Sequence, residues 1–319
     1  MDLSGKEIVI FDSNAYRHFT SGKPFSQVET DIKKVLELEN DNNLISLINP
    51  IVLCELLAHL ADPNDSAYDR CLKAVMALYL HNGDSKEFRT LVDPELMLCY
   101  SFFGKKIKSR EDTVTGIGQI ASAFAVNPTV DTTDQYKDKL EKIRDHVYQT
   151  EINFATDMQN AIRELDPSST NWQIFANDPK KRGDYISYLR SETFPMHVGI
   201  GMMMRIYLLL VEHGLEIFDP SINLVPRAKQ FAAQFNASIE LYREVYMRLI
   251  GSDYNLFDNS RVNFIWDIHL MLSIGDQKIQ NSQVNFVTHD KAILKAAEVT
   301  GHKYKILTLA EYLEYIRFS

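Results

Sequence analysis

An α/β fold with a central parallel sheet is predicted by two features of the chain. Short apolar runs alternate with helical periodicity at both ends, and each end gives the order strand, helix, strand, helix. Residues 8–11 form a continuous apolar run, as expected for a strand covered on both faces. Residues 104–254 contain few strand-like runs and many helical ones, which predicts a large, mostly helical insertion.

The N-terminal elements follow from periodicity and turn signals. Strands are predicted at residues 8–11 and 44–48, and an Asp/Asn-rich turn at residues 40–43 precedes the second strand. Pro50 suits the first turn of a helix that runs to about residue 60. The helices predicted here cover residues 14–19, 28–39, 50–60 and 67–80.

The C-terminal elements repeat the alternation. Gly275 and Gly301 are predicted to end helices. Thr308 is predicted to cap the last helix, with Glu311 as its capping-box partner. The predicted helices cover residues 262–274, 290–299 and 309–316, and the predicted strands cover residues 284–287 and 304–307.

The insertion is predicted to be helical at residues 136–165, as one helix or two, and at residues 194–214 and 228–250. Two discontinuous segments, residues 1–103 and 255–319, then form the α/β domain, and residues 104–254 form the insertion. The most apolar stretch, residues 198–211, is too short for a membrane span and contains Arg205, so a buried helix is expected.

Composition limits the class of protein. The chain has 319 residues and a net charge of −9, which argues against a general nucleic-acid-binding field but not against a local basic groove. Cys54, Cys71 and Cys99 are widely spaced and form no C-x-x-C pair, which disfavours a zinc cluster. The odd cysteine count and the lack of a signal peptide favour a cytoplasmic protein with no membrane partner.

Four acidic residues are candidate metal ligands. Asp12 and Asp290 each end a predicted strand, and catalytic groups gather beyond the carboxyl ends of parallel strands. Glu55 and Asp267 lie on apolar helical stretches. If all four converge, their oxygens suit Mg²⁺ or Mn²⁺. Such an ion activates water and stabilises charge on a phosphoryl oxygen, as phosphodiester hydrolysis requires.

Each acidic residue also has a purely structural interpretation. Asp12 and Asp290 are suitable helix N-caps. Glu55 is compatible with a solvent-facing position, and Asp267 with an exposed face or an ion pair. Two clusters of basic residues also have two interpretations, either as contacts to phosphate groups or as solvated surface. They are Lys105, Lys106, Lys108 and Arg110, and Lys180, Lys181 and Arg182.

The order of the acidic motifs along the chain resembles that of the PIN-domain ribonucleases. The motifs are Phe11-Asp12-Ser13-Asn14, Val52-Leu53-Cys54-Glu55-Leu56-Leu57, Asp267-Ile268-His269-Leu270-Met271-Leu272 and Val287-Thr288-His289-Asp290-Lys291. The resemblance covers about residues 5–103 and 255–317 and implies a three-layer α/β/α PIN-like fold.

The resemblance also implies roles for individual residues. Asp12, Glu55, Asp267 and Asp290 would bind one or two Mg²⁺ or Mn²⁺ ions and carry catalysis. Thr288 would orient the cluster, and Ser13 or Asn14 would support Asp12. His289 is a candidate substrate contact because it lies beside Asp290.

The predicted function is therefore that of a metal-dependent endoribonuclease that cleaves single-stranded or structured RNA. Partners expected besides RNA are a second copy of the chain and an antitoxin or other regulatory protein. The insertion of roughly 150 residues departs from the small toxins of the family and is a candidate substrate platform, lid or oligomerisation arm.

Two alternatives remain open. In a haloacid-dehalogenase-like phosphatase Asp12 would be a covalent nucleophile, but a second Asp is expected two residues on, where this chain has Asn14. In a non-catalytic module, a PIN-like core would bind RNA or protein without cleavage.

Overall fold

The computed structural model describes residues 5–82, 89–258, 262–274 and 284–318. The fold is mixed α/β, with 68% of the residues helical and a parallel sheet of four strands. The predicted α/β class and the parallel sheet are therefore confirmed. The predicted helix end at Gly275 lies outside the described residues.

Four short buried strands form the sheet, in the order β2-β1-β3-β4. Phe11 of β1 is in register with Val287 of β3, which is in register with Leu307 of β4. The last strand is shorter than predicted because residues 303–305 form a 3₁₀ turn. The strands are β1 Glu7–Phe11, β2 Leu44–Ser46, β3 Val284–Val287 and β4 Ile306–Leu307.

Fourteen α-helices occur in the described residues. They are α1 Ser13–Thr20, α2 Phe25–Asp41, α3 Pro50–Ala58, α4 Tyr68–His81, α5 Pro94–Phe103, α6 Lys108–Val126, α7 Val130–Leu165, α8 Pro179–Leu189, α9 Thr193–Glu212, α10 Val225–Gln234, α11 Asn236–Gly251, α12 Phe264–Met271, α13 Lys291–Val299 and α14 Leu309–Tyr315.

Two differences from the predicted helices have local causes. The helix predicted at residues 228–250 is two helices, because Phe235 adopts a non-helical backbone conformation between α10 and α11. Its buried ring lies 5.0 Å from the ring of Phe231, so packing fixes the break. The chain from residue 136 to residue 165 is one helix, and α7 begins six residues earlier than predicted. The Thr308–Glu311 capping box is present as predicted.

The chain divides into two compact units. The first contains Met1–Leu96, Ile107–Val147 and Gln277–Ser319, and the second contains Met97–Lys106 and Tyr148–Asp276. The boundaries predicted from the sequence lie between residues 103 and 104 and between residues 254 and 255. The boundaries of the two compact units lie at other positions. Helix α6 belongs to the first unit with the sheet, and α12 belongs to the second unit with helices α8 to α11.

A buried carboxylate lies at the centre of a hydrogen-bond network in the first unit. Glu39 and His81 are 2% and 1% exposed, and His81 Nε2 lies 2.7 Å from Glu39 Oε1. The Ser46 hydroxyl donates to the same oxygen at 2.8 Å, and the Tyr312 hydroxyl also donates to it. Tyr16 Oη lies 3.1 Å from His81 Nδ1. The network joins β2 to α1, α2, α4 and α14.

Helix α9 packs closely against α10 in the second unit. A Cβ atom on Gly199 would lie 2.7 Å from the backbone oxygen of Ala228, whereas a Cβ atom on Gly201 would meet open space. Gly199 therefore allows α9 to approach α10 more closely than any other residue type would allow without displacement of the backbone.

Helix α9 is longer than the apolar run at residues 198–211, because it begins at Thr193 and ends at Glu212. The length argument against a membrane span therefore applies to the run and not to the whole helix. The helix has 20 residues because the flanking turns continue it, and its mean hydropathy is 1.5, with 33% of its most apolar window buried. Among the described residues it is the one helix long and apolar enough to cross a membrane. One such helix is weak evidence for a span, since a core helix of a soluble protein passes the same test.

Replacement of Glu39 by Ala should strongly destabilise the protein. The change leaves His81 and Tyr312 buried without their shared acceptor, and the loss of one partner of a buried pair costs about 3–5 kcal/mol. Urea denaturation measures the change in the free energy of unfolding. The control is Glu37→Ala, at an exposed position of the same helix, which should have little effect. Equal effects of the two variants would contradict a central role for the network.

Replacement of Gly199 by Ala should destabilise the second unit by about 1–3 kcal/mol because the added methyl group meets the Ala228 backbone. Gly201→Ala, on the same helix, should be neutral or stabilising by up to about 1 kcal/mol, since it removes a mid-helix glycine. Thermal melts followed by circular dichroism distinguish the two variants. A melting temperature that is unchanged in Gly199→Ala would show that α10 can move away at no cost.

Candidate functional site

Two predicted site residues meet at the carboxyl edge of the sheet, where β1 and β3 are neighbours. Asp12 follows β1, and its backbone N–H donates to the Val287 carbonyl oxygen at 3.0 Å. Thr288 follows β3, and its backbone N–H donates to the Leu307 carbonyl oxygen at 2.9 Å. The sheet hydrogen bonding thus continues one residue past each strand and fixes the backbone of both residues.

Asp12 is buried and fully engaged in hydrogen bonds. It is 3% exposed. One carboxylate oxygen accepts from the Ala15 backbone N–H and so caps α1, and the other accepts from the Thr288 hydroxyl. The carboxylate therefore has two roles at once: it caps a helix, and it lies in a polar cluster at the sheet edge.

Thr288 connects the two strand-end acids. Its side-chain oxygen accepts from the Asp290 backbone N–H at 2.9 Å and donates its own proton to Asp12. Asp290 is half-buried and caps α13, because its Oδ1 accepts from the backbone N–H groups of Ala292 and Ile293 at 2.7 and 2.9 Å. The hydroxyl of Thr288 is fully buried, so this chain of hydrogen bonds is shielded from water.

The electrostatics of the pair disfavour a charged Asp12. The pKa of Asp12 is raised from 3.8 to about 6, chiefly by burial and in part by the nearby charge of Asp290. The hydrogen bonds from Thr288 and Ala15, and the charge of Arg17, act in the opposite direction. A carboxyl that titrates near neutral pH beside a second carboxylate is a feature typical of functional sites.

Basic side chains lie close to this edge. The rings of His18 and His289 have centroids 4.3 Å apart. Burial, and then the charge of His18, lower the pKa of His289. Arg17 was not among the predicted site residues, yet its charge acts on Asp12, and its Nε atom is buried without a hydrogen-bond partner. Its position five residues after Asp12, on the helix that Asp12 caps, was the available sequence signal.

The other predicted site residues lie on helices α1, α3 and α12. Ser13 is buried and Asn14 is exposed in the first turn of α1. Glu55 is half-buried on α3 in the first unit, and its charge contributes, after burial, to raising the pKa of the Cys54 and Cys71 thiols.

Asp267 lies on α12 in the second unit, so the four predicted acids are divided between two units. The contacts that hold α12 there are a hydrogen bond from the Ser238 hydroxyl to the Ile268 carbonyl oxygen at 3.0 Å and one from Trp266 Nε1 to Glu151 at 2.9 Å. Within the described part of the chain, no group of three or more His, Cys, Asp or Glu side chains is placed to hold a metal ion.

The set of donors at the sheet edge suits a hard cation. Asp12, Thr288 and Asp290 offer oxygen atoms alone, and Mg²⁺ is commonly held by one or two carboxylates with the rest of its shell water or phosphate. Comparison with known proteins adds no family: no protein-family model matches the chain, and no curated protein or solved structure matches it.

Replacement of Asp12 by Asn should alter how stability depends on pH. The protonated carboxyl stabilises the fold below the unfolded-state pKa of 3.8, and this contribution is lost as the pH rises through about 6. The wild-type free energy of unfolding, relative to that of Asp12→Asn, should therefore fall by up to about 3 kcal/mol between about pH 4 and pH 7. Asn keeps the helix cap.

Urea titrations of both proteins across this pH range give the difference directly. A difference that stays constant with pH would contradict the raised pKa of Asp12. Asp178→Asn is a suitable control, because Asp178 caps α8 from a half-buried position, whereas Asp12 is buried.

Proposed function

We propose that the protein is a Mg²⁺- or Mn²⁺-dependent endoribonuclease with a three-layer, PIN-like α/β/α core. The observation that carries the proposal is the pairing of Asp12 and Asp290 through Thr288 at the carboxyl edge of a parallel sheet. This edge is where the ligands of open α/β sheets bind.

Asp12 and Asp290 would hold the cation. A bound Mg²⁺ or Mn²⁺ would supply an activated water and charge stabilisation for phosphodiester hydrolysis. The like charge that raises the pKa of Asp12 supports this assignment, since a divalent cation would relieve the repulsion between the two carboxylates. Glu55, which belongs to the same unit as Asp12 and Asp290, remains a proposed ligand of this site, although a magnesium ion with several waters does not require it.

Thr288 is a positioning residue in this scheme. Because its oxygen accepts from the Asp290 backbone, its proton points to Asp12 and fixes the rotamer of that carboxylate. Ser13 and Asn14 are the proposed supports of Asp12. They form the start of α1, which Asp12 caps, so the position of the acid is tied to the start of the helix.

Arg17, His18 and His289 would contact the phosphate groups of RNA. The buried, unpartnered Nε of Arg17 is a donor that an anionic ligand could satisfy. The positive charge of Arg17 at this edge is compatible with the net charge of −9, because the attraction is local. A cytoplasmic location, a second copy of the chain and an antitoxin or regulatory partner belong to the same proposal.

One observation favours the second candidate function, a non-catalytic PIN-like module that binds RNA or protein. Both strand-end acids cap helices, so structure alone accounts for their residue type. The phosphatase alternative is less compatible with the sequence, because a second Asp is expected two residues after the nucleophile, where this chain has Asn14.

Asp12→Asn and Asp290→Asn should each lower RNA cleavage in Mg²⁺ or Mn²⁺ by about 100-fold or more, since loss of a ligand should exceed the 10–100-fold effect typical of its supporting partners. Both variants keep their helix caps. Cleavage of mixed RNA, followed on gels with and without EDTA, gives the rates, and Asp178→Asn is the matched cap control.

Equal cleavage by the wild type and both variants would overturn the proposed mechanism. RNA binding without cleavage by any of the proteins, retained in Asp12→Asn, would indicate the non-catalytic module.

A further inference from the structure

The second unit contains a cavity of about 350 Å³ that the proposed function does not use. Its walls come from the second half of α7 and from α8, α9, α10, α11 and α12, and all the lining residues belong to that unit. The volume lies within the range of about 300–1,000 Å³ typical of small-molecule sites. The sheet-edge acids Asp12 and Asp290 are not among its lining residues, so binding in this cavity does not depend on them.

The inner wall of the cavity is apolar and largely aromatic. Phe154, Phe194 and Phe231 are buried there, together with Met158. An interior of this composition favours a planar apolar group over a polar one, because aromatic rings stack and sulfur atoms pack against ring edges.

Four tyrosines form the middle of the cavity and hold one another in place. The Tyr185 and Tyr188 rings lie 5.6 Å apart, as do the Tyr242 and Tyr246 rings, and the Tyr185 and Tyr246 rings lie 6.1 Å apart. Burial raises the pKa of all four hydroxyls, which therefore remain neutral at physiological pH. The rings are fixed by their neighbours, so little ordering is required when a ligand binds.

The open side of the cavity carries charges of both signs. Asp157 on α7 and Arg205 on α9 are exposed lining residues, and the charges of both act on the pKa of the Tyr242 hydroxyl, which also lines the cavity. His197, also exposed, accepts or donates a hydrogen bond at 2.7 Å to Tyr188. A ligand whose ring enters the aromatic interior would therefore leave its polar end beside one carboxylate and one guanidinium.

We propose that this cavity binds a small aromatic zwitterion of the α-amino-acid type. The ring occupies the interior, the ammonium group faces Asp157, and the carboxylate faces Arg205. A purely anionic aromatic compound would meet the charge of Asp157, and a purely cationic one would meet that of Arg205, so each lacks one favourable contact.

Calorimetric titration with three matched probes tests the assignment: L-phenylalanine, 3-phenylpropionate, which lacks the ammonium group, and phenethylamine, which lacks the carboxylate. L-Phenylalanine should bind about tenfold more tightly than either, the factor expected for one charge-assisted hydrogen bond. Asp157→Asn should reduce the affinity for L-phenylalanine and not that for 3-phenylpropionate, and Arg205→Gln should spare phenethylamine in the same way.

A blocking variant locates the binding. Gly201 lines the open side of the cavity on α9, and a Cβ atom there meets nothing within 4 Å, so Gly201→Phe should fill the entrance without disturbing the helix. Gly183→Phe, at a similarly open and exposed position of α8 that does not line the cavity, is the control. Circular dichroism melts establish that both variants are folded.

Loss of L-phenylalanine binding in folded Gly201→Phe, with binding retained in Gly183→Phe, supports the site. The proposal is overturned if no probe binds, if a singly charged probe binds as tightly as L-phenylalanine, or if Gly201→Phe binds as the wild type does. RNA cleavage is not part of the measurement, so failure here is distinct from failure of the nuclease proposal.

Discussion

The buried carboxylate of Glu39 is the constraint around which the first unit is arranged. A charge removed from water is costly unless donors surround it, so the chain must bring hydrogen-bond partners to one point from several elements. Ser46 comes from the sheet, His81 from α4 and Tyr312 from the last helix. An alternative packing of these elements would leave the carboxylate without partners, which favours a single arrangement of the unit.

Asp12, at the carboxyl edge of the sheet, is also a buried carboxylate that needs hydrogen-bond donors, but it differs from Glu39 in one respect. Its carboxylate also accepts hydrogen bonds, but burial, together with the charge of the nearby Asp290, raises the pKa of Asp12 to about 6. A group held close to its titration point responds to an added cation. The chemistry proposed for the protein depends on this proximity of two acids at the sheet edge.

Sequence reasoning predicted the parts of the fold that local patterns encode. Buried strands appear as apolar runs, and the capping box at Thr308 depends on two residues three apart. It also placed Asp12 and Asp290 at neighbouring strand ends. The break at Phe235 and the membership of Asp267 in the second unit depend on packing between distant segments, which periodicity does not report. Arg17 was missed because its role depends on burial beside Asp12.

The strand order has a consequence for synthesis of the chain on the ribosome. β1 pairs with β2 early, but its other neighbour, β3, is made far later: Asp12 and Thr288, which flank that pairing, are 276 positions apart. Until then one edge of β1 offers unpaired backbone groups, which are templates for pairing with other chains. Parallel pairing over such a separation is also slow. The sheet-edge site is therefore completed only after residues 284–290 have been synthesised, and one edge of β1 stays open to pairing with other chains until then.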